Sequence, residues 1–233
     1  MKTFLSFFLC MNIFVGFAQR LEVKGVGELK VGETKISFID DVAAKTKKKI
    51  KRLPDFSSSD DAHYQKFIVE YVKPLSKCSD AGNPLIPEHR VFVIYDYAIM
   101  DQYPTPRLFL EFYNDVLYRF TVDEPQFMTE LRSKYGEPVT DEILHNSNCA
   151  KEAGVSANME KDIIQSWDYG DIHAAYVTAE SRTTGGCDKV LKTRFEVNDL
   201  GTHKIVQVLE NEALKKCQAG DEKEKTVNVP GNF

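Results

Sequence analysis

"LFLEFYNDVLYRFTVDEPQFMTELRSKYGEP", residues 108–138, reads as strand, turn, strand and helix in unbroken succession. Apolar residues alternate through Leu108, Leu110 and Phe112, and again through Tyr118, Phe120 and Val122, the period of strands with one buried face. Asn114 and Asp115 lie between the two runs. Both residue types tolerate left-handed backbone angles, so a two-residue hairpin turn is expected there. A strict two-residue register would place the two apolar sets on opposite faces, and a bulge near the turn would reunite them. Asp123 or Glu124 then caps a helix with Pro125 in its first turn and Phe127, Met128, Leu131 and Tyr135 as its apolar stripe. Gly136 supplies the left-handed terminus and Pro138 prevents continuation. Acids precede this helix and Arg132 and Lys134 close it, as the helix dipole favours.

The flanking chain extends the pattern. Val26, Leu29 and Val31 suggest a short strand ended by Gly32. A helix capped by Glu33 or Thr34 is expected next, with Ile36, Ile39, Val42, Ala43 and Ile50 at helical spacing. The basic run "KTKKKIKR", residues 45–52, reads either as the solvated end of that helix or as a patch for anionic lipid or a polyanion. Residues 53–63 read as a loop and 64–72 as a strand. "RVFVIYDYAIM", residues 90–100, has the continuous apolar character of a central strand covered on both faces. Asp96 interrupts it, either facing solvent at a strand end or serving as a functional group in a cleft. The polar stretch 140–160 is expected to be irregular. Residues 162–180 suggest a hairpin turning at Tyr169-Gly170-Asp171. Leu191, Thr193, Phe195 and Val197 alternate with Lys192, Arg194 and Glu196, giving one buried and one wet face. A final helix is expected from about 203 to 216, with Thr202 as its cap.

The first residues, "MKTFLSFFLCMNIFVGFAQR", have the form of an export signal: Lys2, an uncharged apolar run from Phe4 to Phe17, and small residues at Gly16 and Ala18. Cleavage is expected before Gln19. A lipid-bearing Cys10 is rejected, because Leu9 is not the small residue that lipid attachment requires. No later stretch has the roughly 20 apolar residues of a membrane span. The formal charge of −5 argues against nucleic acid as a partner, which requires a basic face. Cys78, Cys149, Cys187 and Cys217 remain after cleavage, an even number that suggests two disulfides in an exported chain. Cys149 with Cys187 is favoured, because the two flank one hairpin, and Cys78 with Cys217 follows by elimination. No short C-x-x-C spacing supports zinc. The expected organisation is a signal over residues 1–18, one domain over 19–217 and a disordered tail over 218–233. That domain is α+β, an antiparallel sheet with two or three helices packed mainly on one face.

Leu131, Lys134, Tyr135, Gly136 and Pro138 form an L-x-x-KYG-x-P helix ending, which resembles that of exported α+β envelope proteins of Bacteroidetes type. The signal ending "GFAQ" is similar to theirs, and "LKVGETKISFIDDV" looks like the opening segment of outer-membrane-assembly lipoprotein modules. The resemblance implies architecture and compartment, and it carries no catalytic residues.

The chain advertises little chemistry. His63, His89, His145, His173 and His203 lack the i, i+4 partner of a helical zinc motif. His145 and Cys149 would pair as base and thiolate only if helical. No G-x-S-x-G elbow or phosphate loop occurs, and "TTGGC" at 183–187 suits a tight turn. Glu111, Asp115, Asp168 and Asp171 are the carboxylates available for acid–base work, three of them at expected turns. Trp167, Tyr169, Tyr176 and the tyrosines at 95, 97, 103, 113 and 118 would make either core or an aromatic ligand surface. The expectation is a non-enzymatic exported module that binds a protein or small ligand, with no catalytic, cofactor-binding or metal residues assigned. The alternative is a hydrolase whose carboxylates or histidines converge only on folding.

Overall fold

The computed structural model describes residues 23–53, 61–72, 84–146, 159–182 and 188–227. Its centre is a nine-stranded sheet ordered β3-β4-β5-β6-β7-β11-β10-β9-β8. The strands are β3 (Lys49–Leu53), β4 (Phe67–Tyr71), β5 (His89–Ile99), β6 (Tyr103–Tyr113), β7 (Val116–Asp123), β8 (Val139–Asn146), β9 (Met159–Tyr169), β10 (Ile172–Arg182) and β11 (Lys189–Asp199). Neighbours pair antiparallel except β3 and β4, which are parallel. Two short strands, β1 (Gly25–Val26) and β2 (Leu29–Lys30), form a separate hairpin.

The expected hairpin is present, with Asn114 and Asp115 at φ 49° and 62°. Its register shifts between Glu111 and Phe112, so a bulge brings Phe112 opposite Leu117 and Leu110 opposite Phe120. Leu108, Leu110, Phe112, Leu117, Phe120 and Val122 thereby share one core. Helix α3 (Met128–Tyr135) returns across that face, burying Leu131 and Tyr135. Phe127 stands edge-on to Phe195 at 5.4 Å, and the Tyr135 hydroxyl donates to the Gly25 carbonyl at 2.9 Å. Gly136 has φ 83°, and its carbonyl accepts the indole N–H of Trp167 at 2.9 Å. Asp123 does not cap α3. It ends β7 and binds Arg107 instead.

Helix α1 (Ser37–Thr46) buries Ile39 and Val42 on this first face. It ends four residues before Ile50. Lys47 turns left-handed at φ 57° and the chain enters β3, so the basic run is half helix end and half edge strand. Thr34 does not cap α1 either. Its hydroxyl donates to the Glu28 carbonyl and accepts from the Lys30 amide.

The helices are not gathered on one face, contrary to expectation. Along β5, Phe92 and Ile94 join the first core, while Val91, Val93 and Tyr95 join a second with Val69 and Tyr71. Helix α4 (Leu200–Val227) lies over this second face. It touches β7 and β11, and its His203 ring sits 6.1 Å from that of Tyr118. The single turn α2 (Asp61–Tyr64) brings Tyr64 against the same core. Two covered faces follow from the sequence of β5, which is apolar without a break from Val91 to Tyr95.

Three further expectations are corrected. Residues 139–146, read as irregular, form edge strand β8. Their polar character reflects two wet faces, with Val139, Ile143 and Leu144 all exposed. Leu191 is 61% exposed, because β11 pairs with β7 only from Arg194 to Asn198 and overhangs it elsewhere. Helix α4 runs through residues 218–227, which had been placed in a tail without regular structure. Half of that stretch is glutamate, lysine and alanine, which are strong helix formers. Its cap is Asp199, whose carboxylate accepts from the Thr202 amide at 3.0 Å and the Thr202 hydroxyl at 2.9 Å. Cys217 lies on α4, whereas Cys78, Cys149 and Cys187 fall outside the described residues, and so do both expected pairings.

Candidate functional site

The second sheet face carries two charged constellations. One lies beneath α4. His89, at the start of β5, meets Glu210 of α4 at 2.8 Å through Nδ1, and its Nε2 lies 3.1 Å from the Tyr118 hydroxyl. Tyr118 donates onward to Glu111 at 2.6 Å. Arg119 Nη1 donates to the other Glu111 oxygen at 3.2 Å, and its Nη2 lies 3.7 Å from Glu196. Glu210 also accepts the backbone amides of Leu85, at 2.8 and 3.0 Å, and of Ile86 at 3.4 Å. The bulge at Glu111 matters here, because it sets Tyr118 and Arg119 together opposite one carboxylate.

Burial works against a charged His89, but hydrogen bonds and charge from Glu111 and Glu210 outweigh it and raise its pKa to about 9. Burial likewise opposes ionisation of Glu111, yet His89, Arg119 and Tyr118 hold its pKa below the usual carboxylate value. Tyr118 is pushed far up by burial and by the charge of Glu111. The group is therefore an imidazolium bracketed by carboxylates at neutral pH.

The other constellation is open. Six residues along β5 from His89, roughly 20 Å at strand rise, Tyr95 lies opposite Arg107 of β6. Arg107 Nε donates to Asp123 at 2.7 Å, Asp123 lies opposite Arg194 of β11, and Arg194 lies opposite Val177 of β10. One step further, Lys192 lies opposite Ala179, and Ala179 opposite Asp162 of β9. These residues, with Asp96, Pro106, Glu124 and Thr193, line a cavity of about 460 Å³. Its floor is low because β10 presents Val177 and Ala179 there, between longer side chains on β11 and β9. Arg194 and Lys192 are exposed and have no hydrogen-bond or ion-pair partner among the described residues. Asp162 Oδ2 lies 3.1 Å from His145 Nε2.

Asp96 sits at the rim, exposed and left-handed at φ 48°. This angle resets the alternation of β5: Tyr95 faces the second core, and Tyr97 and Ile99 face the first. Lys48 donates to the Tyr95 carbonyl beside it. Its pKa is lowered, because burial outweighs the pull of Asp96.

The structure scatters most of the residues considered from sequence. Asp115 occupies its turn, Asp168 pairs with His173 at 2.6 Å on the surface, and the Asp171 carbonyl accepts the amide that begins α4. Only Glu111 meets another ionisable candidate in a buried setting, His89. His145 is in a strand, and Cys149 lies outside the described residues, as does the turn at 183–187. The aromatics do not form a platform: Tyr95, Tyr97, Tyr118 and Trp167 are buried, and Tyr169 is exposed. The basic run is engaged locally. Lys45 meets Asp101 at 2.5 Å, Lys51 lies over the rings of Tyr64 and Phe67, and Arg52 meets Glu70 at 2.8 Å.

Sequence reasoning named Arg194 and Lys192 only as the wet side of an alternating strand and Asp123 only as a helix cap, and it missed Arg107 and Asp162 altogether. They come from different strands and meet through register. Asp96, flagged as an interruption, was the one signal available. No protein-family model, characterised protein or solved structure matches the chain. Among the described residues no group of histidine, cysteine, aspartate or glutamate is arranged to hold a metal ion, and no helix is long and apolar enough to cross a membrane.

Proposed function

We propose that this chain is an exported envelope protein that binds a small polar ligand, without catalysis, in the open trough over β11, β10 and β9. The observation that carries the reading is the pair of cations, Arg194 and Lys192, that lie unpaired among the described residues beside a cavity large enough for a ligand of drug-like size. The enzymatic alternative has one point of support, the contact between His89 and Glu111. There the imidazole is charged, both its nitrogens face oxygen partners, and among the described residues no serine, threonine or cysteine joins the group, so the described residues offer neither a free base nor a nucleophile there.

A screen of polar fragments by NMR against the mature protein tests the reading. Shifts should cluster on Val177, Ala179, Lys192 and Arg194 and disappear in the double variant Lys192→Glu, Arg194→Glu. Hits confined to other surfaces, or surviving that variant, would refute it.

Export and two disulfides belong to the same proposal. Support for pairing Cys78 with Cys217 comes from the hold of Glu210 on the Leu85 and Ile86 amides. Cys217 follows Glu210 by two helical turns on the same side, and Cys78 precedes Leu85 by seven residues. Mass spectrometry of unreduced peptides should recover that link, and a free thiol at either position would exclude it.

A further inference from the structure

We infer that the ligand of the trough is a short peptide with free ends, about three residues long, bound by its terminal charges. This rests on the proposed binding role and adds the chemical class. Across β10 the trough sets two cations against an acid, while Asp96, Asp123 and Glu124 line it beyond the cations, Asp123 being held by Arg107. Arg194 and Lys192 stand on β11, Asp162 stands on β9, and the intervening β10 contributes only Val177 and Ala179 to the floor. The walls are two strand spacings apart, roughly 10 Å. A ligand that satisfies both must carry an anion and a cation separated by about that distance. An extended chain advances at most about 3.5 Å per residue, so a tripeptide places its carboxylate and ammonium at opposite walls.

The two cations favour a carboxylate as the anionic group, since a guanidinium donates two parallel hydrogen bonds to it. Asp162 retains acceptor capacity, because His145 occupies only one of its oxygens. Val177 and Ala179 offer a small apolar floor with no side chain tall enough to block a backbone lying across it. A simple anion would leave Asp162 facing it at the far wall, and a simple cation would leave Arg194 and Lys192 uncompensated.

Titration calorimetry of the full mature chain with four probes tests the inference: trialanine, its N-acetyl form, its C-terminal amide and the doubly blocked peptide. Trialanine should bind, and each block should weaken it by tenfold or more. In Asp162→Asn the penalty for acetylation should vanish while the penalty for amidation persists. The double variant Lys192→Gln, Arg194→Gln should show the converse, and because both residues are exposed it isolates charge from folding. Equal binding of blocked and free peptides, or binding of none of the four, would overturn the peptide inference. Either result leaves the fragment screen free to locate a different ligand in the same trough, so the two proposals fail separately.

Discussion

Beneath α4, Arg119 stands between Glu111 and Glu196, and His89 lies between Tyr118 and Glu210. At the far end of the same face, Arg194 and Lys192 project into an open cavity and form no ion pair among the described residues. The residue types are alike in the two regions, and the difference is cover. Where a helix excludes water, an unmatched charge would be costly, so each one finds a partner. Where the pairing of β11 with β7 ends at Arg194 and none of the described helices is laid on top, water solvates the cations and no partner is required. The covered group therefore serves stability, and the open one is available to a ligand.

Substitutions that strip a partner separate the two regions most sharply. Glu210→Ala orphans the Leu85 and Ile86 amides and leaves His89 facing α4 without its carboxylate. Urea denaturation should show a loss of about 3–5 kcal/mol, the range for breaking a buried charged pair. Little or no loss would place the covered group among surface pairs and dissolve the contrast.

Proton linkage gives the next largest effect. The folded-state pKa of His89, about 9, lies above its ordinary 6.5, so its stabilisation is complete below 6.5 and lost as pH rises through 9. The interval corresponds to about 3 kcal/mol. Unfolding free energies measured from pH 6 to pH 10 should fall across this window in the native protein and stay flatter in His89→Gln. Glu111 works in the opposite sense. Its folded pKa is depressed, so its contribution is present above the ordinary carboxylate value and fades as the solution becomes more acid.

At the open end the effects on stability shrink. Asp123→Ala removes the partner of a half-buried Arg107 and should cost about 1 kcal/mol, as partly exposed pairs do. Arg194→Ala and Lys192→Ala should each fall within about 0.5 kcal/mol of the parent protein, the usual range for exposed substitutions. A loss above about 1 kcal/mol at either position would show that these cations are structural after all.

The contrast also explains what the sequence could convey. The hairpin around Asn114 and Asp115, the α3 unit and the turn at Gly170 were legible because short-range patterns specify them. The bulge was legible too, since the apolar sets of β6 and β7 fail to coincide without it. Strand β8 was not legible, because an edge strand with two wet faces has no alternation to display. The basic run was misread because lysines suit a helix end and a solvent-facing edge strand equally well, and charge on such an edge discourages pairing with other chains. Helix α4 was expected three residues late, at about 203 with Thr202 as its cap, and was cut short at its far end, because a long solvated helix lacks an apolar stripe in its outer turns. The trough was the least legible feature. Its residues are distant in sequence and are assembled by the order β7-β11-β10-β9, in which the last strand inserts beside a much earlier one.

Asp96 reverses the inside–outside reading of β5, a strand that supplies a wall to both cores through Phe92 and Ile94 on one side and Val91, Val93 and Tyr95 on the other. Neither core can come apart without taking β5 with it. Amide protons in the middle of β5 should accordingly exchange with deuterium only when the whole molecule opens, whereas those of β8, backed by a single neighbour, escape through local fraying. The molecule thus has one rigid spine and one pliant margin, and the trough lies between them, with Tyr95 at one side and Asp162 at the other.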